Sequence, residues 1–362
     1  LKKLMKEGCD LSRVSEGKFI IVMPFAETAE QIDECANMIL NAFSNPILPR
    51  GGVEALFVTV NIGISVYPDD GKDADTLLKN ADLAGYEAKS SDSKVVLCSE
   101  QLKSRAAQNT LLMNRLFHSL QNKEFSLEFQ PQINCVTEKT AGIEALLRWS
   151  TIDNKRVAPN IFIPMLEQTG LIYDVGLWVL ESALQEHNRL IAKGFPPLRI
   201  SVNLSVMQFQ GKDFIRDFRK IIEESRVDPK LIELEITESL FSSNPEDVID
   251  KLFKLKELGV RISIDDFGKG YSSLNRLKLV PFDRIKIDKA IIDQIDLDSK
   301  TAPITEVIVS LAKAFSADIT AEGVETKEQA DFLRSINCDE IQGFYYSRPL
   351  SVEALEEFLK KE

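Results

Sequence analysis

The sequence predicts an α/β protein in two parts. A TIM-type (β/α)8 barrel occupies residues 123–362, a small α/β unit occupies residues 1–100, and a connecting helix covers 101–122. Three observations predict this. From residue 125 onward, short strand-like runs alternate with helical ones over about 240 residues, the pattern of a barrel with crossover helices. Acidic or amide residues close or follow those runs: Glu144, Asn203, Glu235, the pair Asp265–Asp266, Glu322 and Gln342, with Lys286 among them. The length, 362 residues, fits two domains better than one.

In the first part, KFIIVMPF (18–25) reads as a strand. AEQIDECANMILNAF (29–43) places Ile32, Cys35, Ala36, Ile39, Leu40 and Phe43 on one helical face. NPILPRGG (45–52) has turn chemistry, and ALFVTVNIGISVYP (55–68) is a β-branched strand. PDDG (68–71) turns into a helix over 73–91, and KVVLC (94–98) is a last strand. Residues 99–122 contain neither Pro nor Gly, so they read as a helix stiffer than a flexible linker. In the second part, FSLEFQPQI (125–133) is followed by strands near 141–149, 199–205, 231–237, 260–266, 284–288, 318–324 and 340–346, most of them separated by helical segments.

At 44% hydrophobic and 28% charged the composition is that of an ordinary soluble protein. The net charge of −12 argues against DNA or RNA as a partner, which needs a basic surface. No apolar run approaches the roughly 18 residues of a membrane span, and LKKLMKEGCD shows no signal-peptide core, so no membrane contact by this segment is expected. The five dispersed cysteines, Cys9, Cys35, Cys98, Cys135 and Cys338, suggest reduced, buried thiols and a cytoplasmic setting. His118 and His187 lie in helical contexts without metal-ligand spacing.

Oxygen ligands gathered at one rim of a barrel suit hard divalent cations. Asp265 and Asp266 would point oppositely in an extended strand, but both can reach a metal where the chain turns. Two cations about 3.5–4 Å apart clamp the attacking and leaving oxygens of a phosphodiester displacement. Glu144, Asn203 and Glu235 could supply one ion and Glu322 the second. Lys286 could hold or deprotonate the attacking water, since nearby cations lower a lysine pKa. Glu238 is either a capping residue or a tie for the Gly-rich loop after Asp266.

At these residues the chain resembles the EAL family of cyclic di-GMP phosphodiesterases. EALLRW (144–149) looks like its signature, and the remaining motifs follow in order: FQPQI (129–133), VNLSVMQF (202–209), ELEITES (233–239), DDFGKGYSSL (265–274), IKIDK (285–289), AEGVET (321–326) and QGFYYSRPL (342–350). The resemblance covers residues 105–362. It implies hydrolysis of cyclic di-GMP to linear pGpG with two Mg²⁺ or Mn²⁺ ions. It also implies that Glu144, Asn203, Glu235 and Asp265 hold metal, and that Asp266 and Glu322 complete the second site. Lys286 and Gln342 would position the water, while Gln130 and Arg148 would contact substrate, the guanidinium facing a phosphate. A homodimer through the barrel, near Asp266 and the following helix, is implied too. Two departures stand out. Lys269 replaces a small residue of the loop, where it either alters packing or points to solvent. Ser150-Thr151-Ile152-Asp153 replaces a His-Pro turn at the periphery. The rival readings are a receptor that binds cyclic di-GMP without cutting it and a scaffold working through protein contacts.

RVSEGKFIIVMP (13–24) is similar to the hairpin of a GGDEF domain, the diguanylate cyclase fold, supported by VTVNIGISVYP (58–68) and LLKNADLAGYEAKSS (77–91). Where the family carries Gly-Gly-Asp/Glu-Glu-Phe, this chain has Ser15-Glu16-Gly17-Lys18-Phe19. The glycines that let backbone approach a triphosphate are lost, and so is the acidic pair. Gly51-Gly52-Val53-Glu54-Ala55 is only a superficial match, read as a turn. The family's first strand and helix, with their metal-binding Asp, are expected upstream of Leu1, and Lys6-Glu7-Gly8-Cys9 does not match its product-inhibition motif. The unit is therefore expected to regulate or dimerise the barrel. Incubation with GTP and Mg²⁺ should yield no cyclic di-GMP by chromatography, and robust synthesis would defeat this reading of the signature.

Overall fold

The structure, a computed structural model, describes every residue except 2, 3, 6, 7, 25, 27, 48–54, 92, 239, 241–244, 269–276 and 296–301. The turn assigned to 45–52 lies largely outside the described residues, as do Gly51–Glu54, Lys269 and most of the loop after Asp266. Two compact units are present, Leu1–Leu112 and Met113–Glu362.

The first unit opens with a hairpin of β1 (Asp10–Ser15) and β2 (Lys18–Val22). Its tip is Glu16-Gly17, with Gly17 at φ 76°, a left-handed turn position that glycine takes without strain. The SEGKF segment thus forms the hairpin tip, and Lys18 pairs with Asp82 at 2.7 Å. Helix α1 covers Ala29–Ala42 and is capped by Thr28. The predicted strand over 55–68 shrinks to β3 (Ile62–Ile64), because its only ladder among the described residues is to β4 (Val95–Leu97). The preceding run makes only an isolated antiparallel bridge, Leu56 with Ile47, and Phe57 is 82% exposed despite its strand-favouring chemistry. Helix α2 (Ala74–Ser90) is capped by Asp73, whose carboxylate accepts from Thr76 N at 2.8 Å. The division between the units falls inside α3 (Glu100–Ser119).

The second unit is a closed barrel. Its strands are β5 (Phe125–Asn134), β6 (Thr140–Ser150), the short β7 (Arg156–Val157), β8 (Arg199–Asn203), β9 (Ile232–Thr237), β10 (Arg261–Phe267), β11 (Arg284–Ile287), β12 (Asp318–Ala321) and β13 (Glu340–Ile341). From β6 through β8 to β13 the ladder is parallel, and β5 closes it by pairing antiparallel with both β6 and β13. The first connection is therefore a hairpin, not a crossover helix. Five residues, 135–139, are too few for a crossover, which takes a dozen or more. Asn134 Oδ1 shapes the turn by accepting from Val136 N and Thr137 N, and Glu138 takes φ 55°. Strand β7 is an unpredicted appendage on the end of β6.

Alternate residues along each strand divide between two surroundings. Ile264, Ile285, Ile287, Ile319, Ala321 and Ile341 pack outward with Ile308, Val309 and Ala312 of helix α4 (Ala302–Ala314) and Ala330 and Leu333 of helix α5 (Lys327–Ser335). The intervening positions point inward and are polar. In the lower tier, Arg199 reaches Glu340 (2.5 Å) and Glu233 (3.3 Å), while Arg284 reaches Glu233 (3.2 Å), Glu340 (3.1 Å) and Thr320 (2.8 Å). Burial pushes the Glu233 carboxyl up, but Arg284, Arg199 and Arg261 outweigh it and hold it below the ordinary range. The five cysteines are unpaired thiols, and His187 is buried with Nε2 2.9 Å from Leu198 O. Among the described residues no helix is long and apolar enough to cross a membrane.

Removing one side of a buried ion pair strands the other. Arg284→Met is therefore expected to lower unfolding stability by about 3–5 kcal/mol in a urea titration. A loss below about 1 kcal/mol would show that Arg199 and Arg261 suffice for Glu233 and Glu340.

Candidate active site

Above the charge-balanced tier, the next inward positions form a second cluster around one ammonium. Lys286, 1% exposed at its side chain on β11, places Nζ 2.5 Å from Glu235 on β9 and 2.5 Å from Glu322. Asp265 on β10 lies at 3.3 Å and Glu144 on β6 at 3.5 Å. Glu322 immediately follows β12, and its N–H donates to Ile287 O at 3.0 Å. Gln342 immediately follows β13, anchored by its N–H to Ala321 O at 2.8 Å. The sequence placed Glu144 at a strand end; it sits instead in the middle of β6, because that strand continues to Ser150 to pair with long β5 and with β7. Its level in the barrel is still that of the cluster.

Adjacent Asp265 and Asp266 are accommodated by a bulge. Between the partners Ile264↔Ile285 and Phe267↔Ile287, β10 carries one residue more than β11, and Asp266 takes φ 54°. Asp265 thus faces Lys286, and its pKa is raised first by burial and then by Glu144 and the adjacent Asp266. The reorientation expected at a turn occurs within the strand.

Glu144 is held through both oxygens. Oε1 accepts from Asn203 Nδ2 at 2.7 Å, and Oε2 accepts from Gln342 Nε2 at 2.5 Å. Gln342 Nε2 also reaches Gln130 Oε1 at 3.2 Å, and Gln130 Nε2 donates to Ser347 O at 3.1 Å. Glu238 Oε1 accepts from Gly268 N at 3.4 Å, which places it as a tie to the start of the loop after Asp266. Arg148 stands apart from the Lys286 cluster, its Nε on Glu128 at 2.7 Å. Glu128 also receives Arg156. Sequence reasoning missed Glu128, Ser347 and Gln132; for Gln132 the signal was its position two residues after Gln130 on the same strand face.

Four carboxylates face one lysine, and the electrostatics follow. Burial alone would depress the lysine, but Asp265, Glu144, Glu235 and Glu322 hold its pKa well above the ordinary value. Glu144 is pushed up by burial and brought back below its usual value by Lys286, Gln342 and Asn203. Glu235 is raised well above the usual value by burial and by Glu144, and burial carries Glu322 to about 8 despite Lys286. Two buried oxygens, Glu235 Oε1 and Asp265 Oδ1, accept no hydrogen bond. Among the described residues no three acidic or other metal-ligating side chains stand in a ready coordination arrangement, since Nζ occupies the centre of the carboxylates.

This barrel and its rim cluster define an EAL-type domain. Residues 113–349 match the EAL domain family, and the chain belongs to it. Residues 1–94 match the family described as diguanylate cyclase, GGDEF domain. The chain is 36% identical to the signaling protein YkoW of Bacillus subtilis, over 99% of this chain and 45% of the relative. It is 31% identical to the cyclic di-GMP phosphodiesterase NbdA of Pseudomonas aeruginosa, over 99% of this chain and 46% of the relative. The chain thus spans less than half the length of these two relatives. The solved PaMucR phosphodiesterase in complex with c-di-GMP superposes with a TM-score of 0.65 at 36% identity, covering 68% of this chain and 99% of the other.

A raised carboxyl makes the metal-free cluster sensitive to base. Glu322, near 4.3 in an unfolded chain, stands at about 8 when folded, so the folded state holds the proton more tightly. Its contribution to stability is full below the unfolded value and is lost as pH rises through the folded one. With cations chelated, the melting temperature is expected to fall between about pH 5 and pH 8. Glu322→Gln should flatten that slope, and an unchanged slope would remove Glu322 as its source.

Proposed function

We propose that the barrel binds cyclic di-GMP and hydrolyses one phosphodiester bond to give linear pGpG. The observation that carries this reading is the convergence of Glu144, Glu235, Asp265 and Glu322 on Lys286 within a segment matched to the EAL family.

The donor set suits hard divalent cations such as Mg²⁺ or Mn²⁺. It offers only carboxylate and amide oxygens, two of the buried carboxylate oxygens have no hydrogen bond, and burial, reinforced by neighbouring carboxylates, raises Glu235, Asp265 and Glu322. Glu144, Asn203, Glu235 and Asp265 would hold one ion, and Asp266 and Glu322 would complete the site of a second. Bound there, the ions would neutralise charge on the phosphate and acidify the attacking water. The remaining roles belong to the chain. Lys286 orients that water through Nζ–H, with Gln342 beside it, and offsets negative charge as it grows on the phosphate. Water adds across one P–O bond: its oxygen joins phosphorus, and a proton ends on the departing ribose oxygen. Gln130 and Arg148 contact the dinucleotide, and Glu238 steadies the loop after Asp266. Pairing of two barrels through that segment belongs to the same proposal.

The unit over residues 1–94 acts as a regulator in this reading, not as a cyclase. Lys18 stands at the altered signature and is paired with Asp82.

Purified protein given cyclic di-GMP with Mg²⁺ or Mn²⁺ should release pGpG, followed by chromatography. Lys286→Ala and Glu144→Ala should each lower kcat by at least about a hundredfold. Wild-type protein that binds the dinucleotide at saturating metal yet leaves it intact would transfer the barrel to the receptor class.

A further inference from the structure

Two fixed polarities bracket the side chains beneath Glu144. At the lower end is Arg199, a buried guanidinium that can only donate. Its Nη2 donates to Gln132 Oε1 at 2.6 Å. At the other end is the Ser347 carbonyl, which can only accept, and it takes Gln130 Nε2 at 3.1 Å. Between them an amide has two faces and must choose. With its oxygen on Arg199, Gln132 presents Nε2 upward and donates to Gln342 Oε1 at 2.9 Å. Gln342 must then present its own Nε2 to Glu144 Oε2, at 2.5 Å, and to Gln130 Oε1, at 3.2 Å. Gln130 offers that oxygen because its nitrogen is taken by Ser347.

Gly142 is an independent mark of the same device. It lies opposite Gln132 on β5 and Arg199 on β8. A Cβ there would stand 2.7 Å from both Arg199 Nη2 and Gln132 Oε1. The strand leaves out a side chain where those two atoms meet.

We propose that Gln132 is a positioning residue that fixes which end of the Gln342 amide faces Glu144, with Arg199 as its anchor and Gly142 as the space for their contact. Glu144 then always meets N–H groups, never an amide oxygen that would repel it. The role in turnover rests on the phosphodiesterase reading; the role in orienting Glu144 does not.

Two substitutions separate orientation from packing. Q132E keeps an acceptor for Arg199 but offers Gln342 only oxygens, which turns the Gln342 N–H groups away from Glu144. Q132M offers neither donor nor acceptor and leaves Gln342 free to keep its orientation, while Arg199 loses a partner. Q132E is therefore expected to melt at or above Q132M and yet be the poorer enzyme, roughly ten- to a hundredfold below wild type in kcat, with KM within about twofold. Q132M should fall between. Mn²⁺ affinity, measured by calorimetry without substrate, should follow the same order as kcat. If Mn²⁺ affinity instead follows melting temperature, with Q132M the worse, or does not differ among the proteins, the proposal is overturned whatever the turnover. Absence of turnover by wild type, with the Mn²⁺ order intact, would remove the phosphodiesterase reading and leave this one standing. Should Q132E fail to fold, Gly142→Ala parts Arg199 from Gln132 and should weaken Mn²⁺ binding by a similar factor; unchanged binding would also overturn the proposal.

Discussion

One buried ammonium facing four carboxylates is the constraint around which the rest of this barrel is arranged. Desolvating a charge costs several kcal/mol unless partners compensate it, and Lys286 cannot compensate Glu144, Glu235, Asp265 and Glu322 together. Glu235 and Glu322 register the shortfall as raised pKa values. The tier below shows the opposite arrangement. There Arg199, Arg261 and Arg284 face Glu233, Glu340 and Asp318, and Glu233 is held below its usual value. The lower tier therefore balances its charges within the barrel, and the upper one leaves an excess of carboxylates. A fold that violates electrostatic consistency at one level only is using that level for something other than stability.

Geometry makes the imbalance possible. Strand side chains alternate, so on three strands an inward position of the lower tier is followed two residues later by one of the upper tier: Glu233 by Glu235, Arg284 by Lys286, Glu340 by Gln342. Asp265 and Asp266 are the exception to alternation, and the bulge there is how the chain admits two adjacent acids on one rim.

Much of this was legible in the sequence. The parallel strands announce themselves as short runs between helices, and the rim residues stand out because acids or amides recur after so many of those runs. The antiparallel first strand was also readable, since five residues between FSLEFQPQIN and TAGIEALLRW leave no room for a helix. The strand over 55–68 was overread because β-branched chemistry favours a strand only where a neighbour supplies hydrogen bonds. The lower tier was hidden for another reason. Segments such as RISVN and IELEI alternate apolar and polar residues, the same pattern as strands with one face in water. Nothing local distinguishes a polar face turned to solvent from one turned into a barrel. Only closure of the sheet does, and that is a property of eight strands together.

That ambiguity bears on why the interior is polar at all. An aliphatic lower tier would pack as densely and would dispense with several buried charges. It could not tell an amide which way to turn. Gln342 fits its space in either orientation, and the two differ in whether Glu144 meets N–H groups or a repelling oxygen. The difference is decided by neighbours of fixed polarity, and the chain reaches those neighbours only by carrying polar contacts from Arg199 through Gln132 into the site. The buried arginine thus acts through what it forbids. It cannot accept a hydrogen bond, so the amide above it has one orientation, and the next amide inherits it.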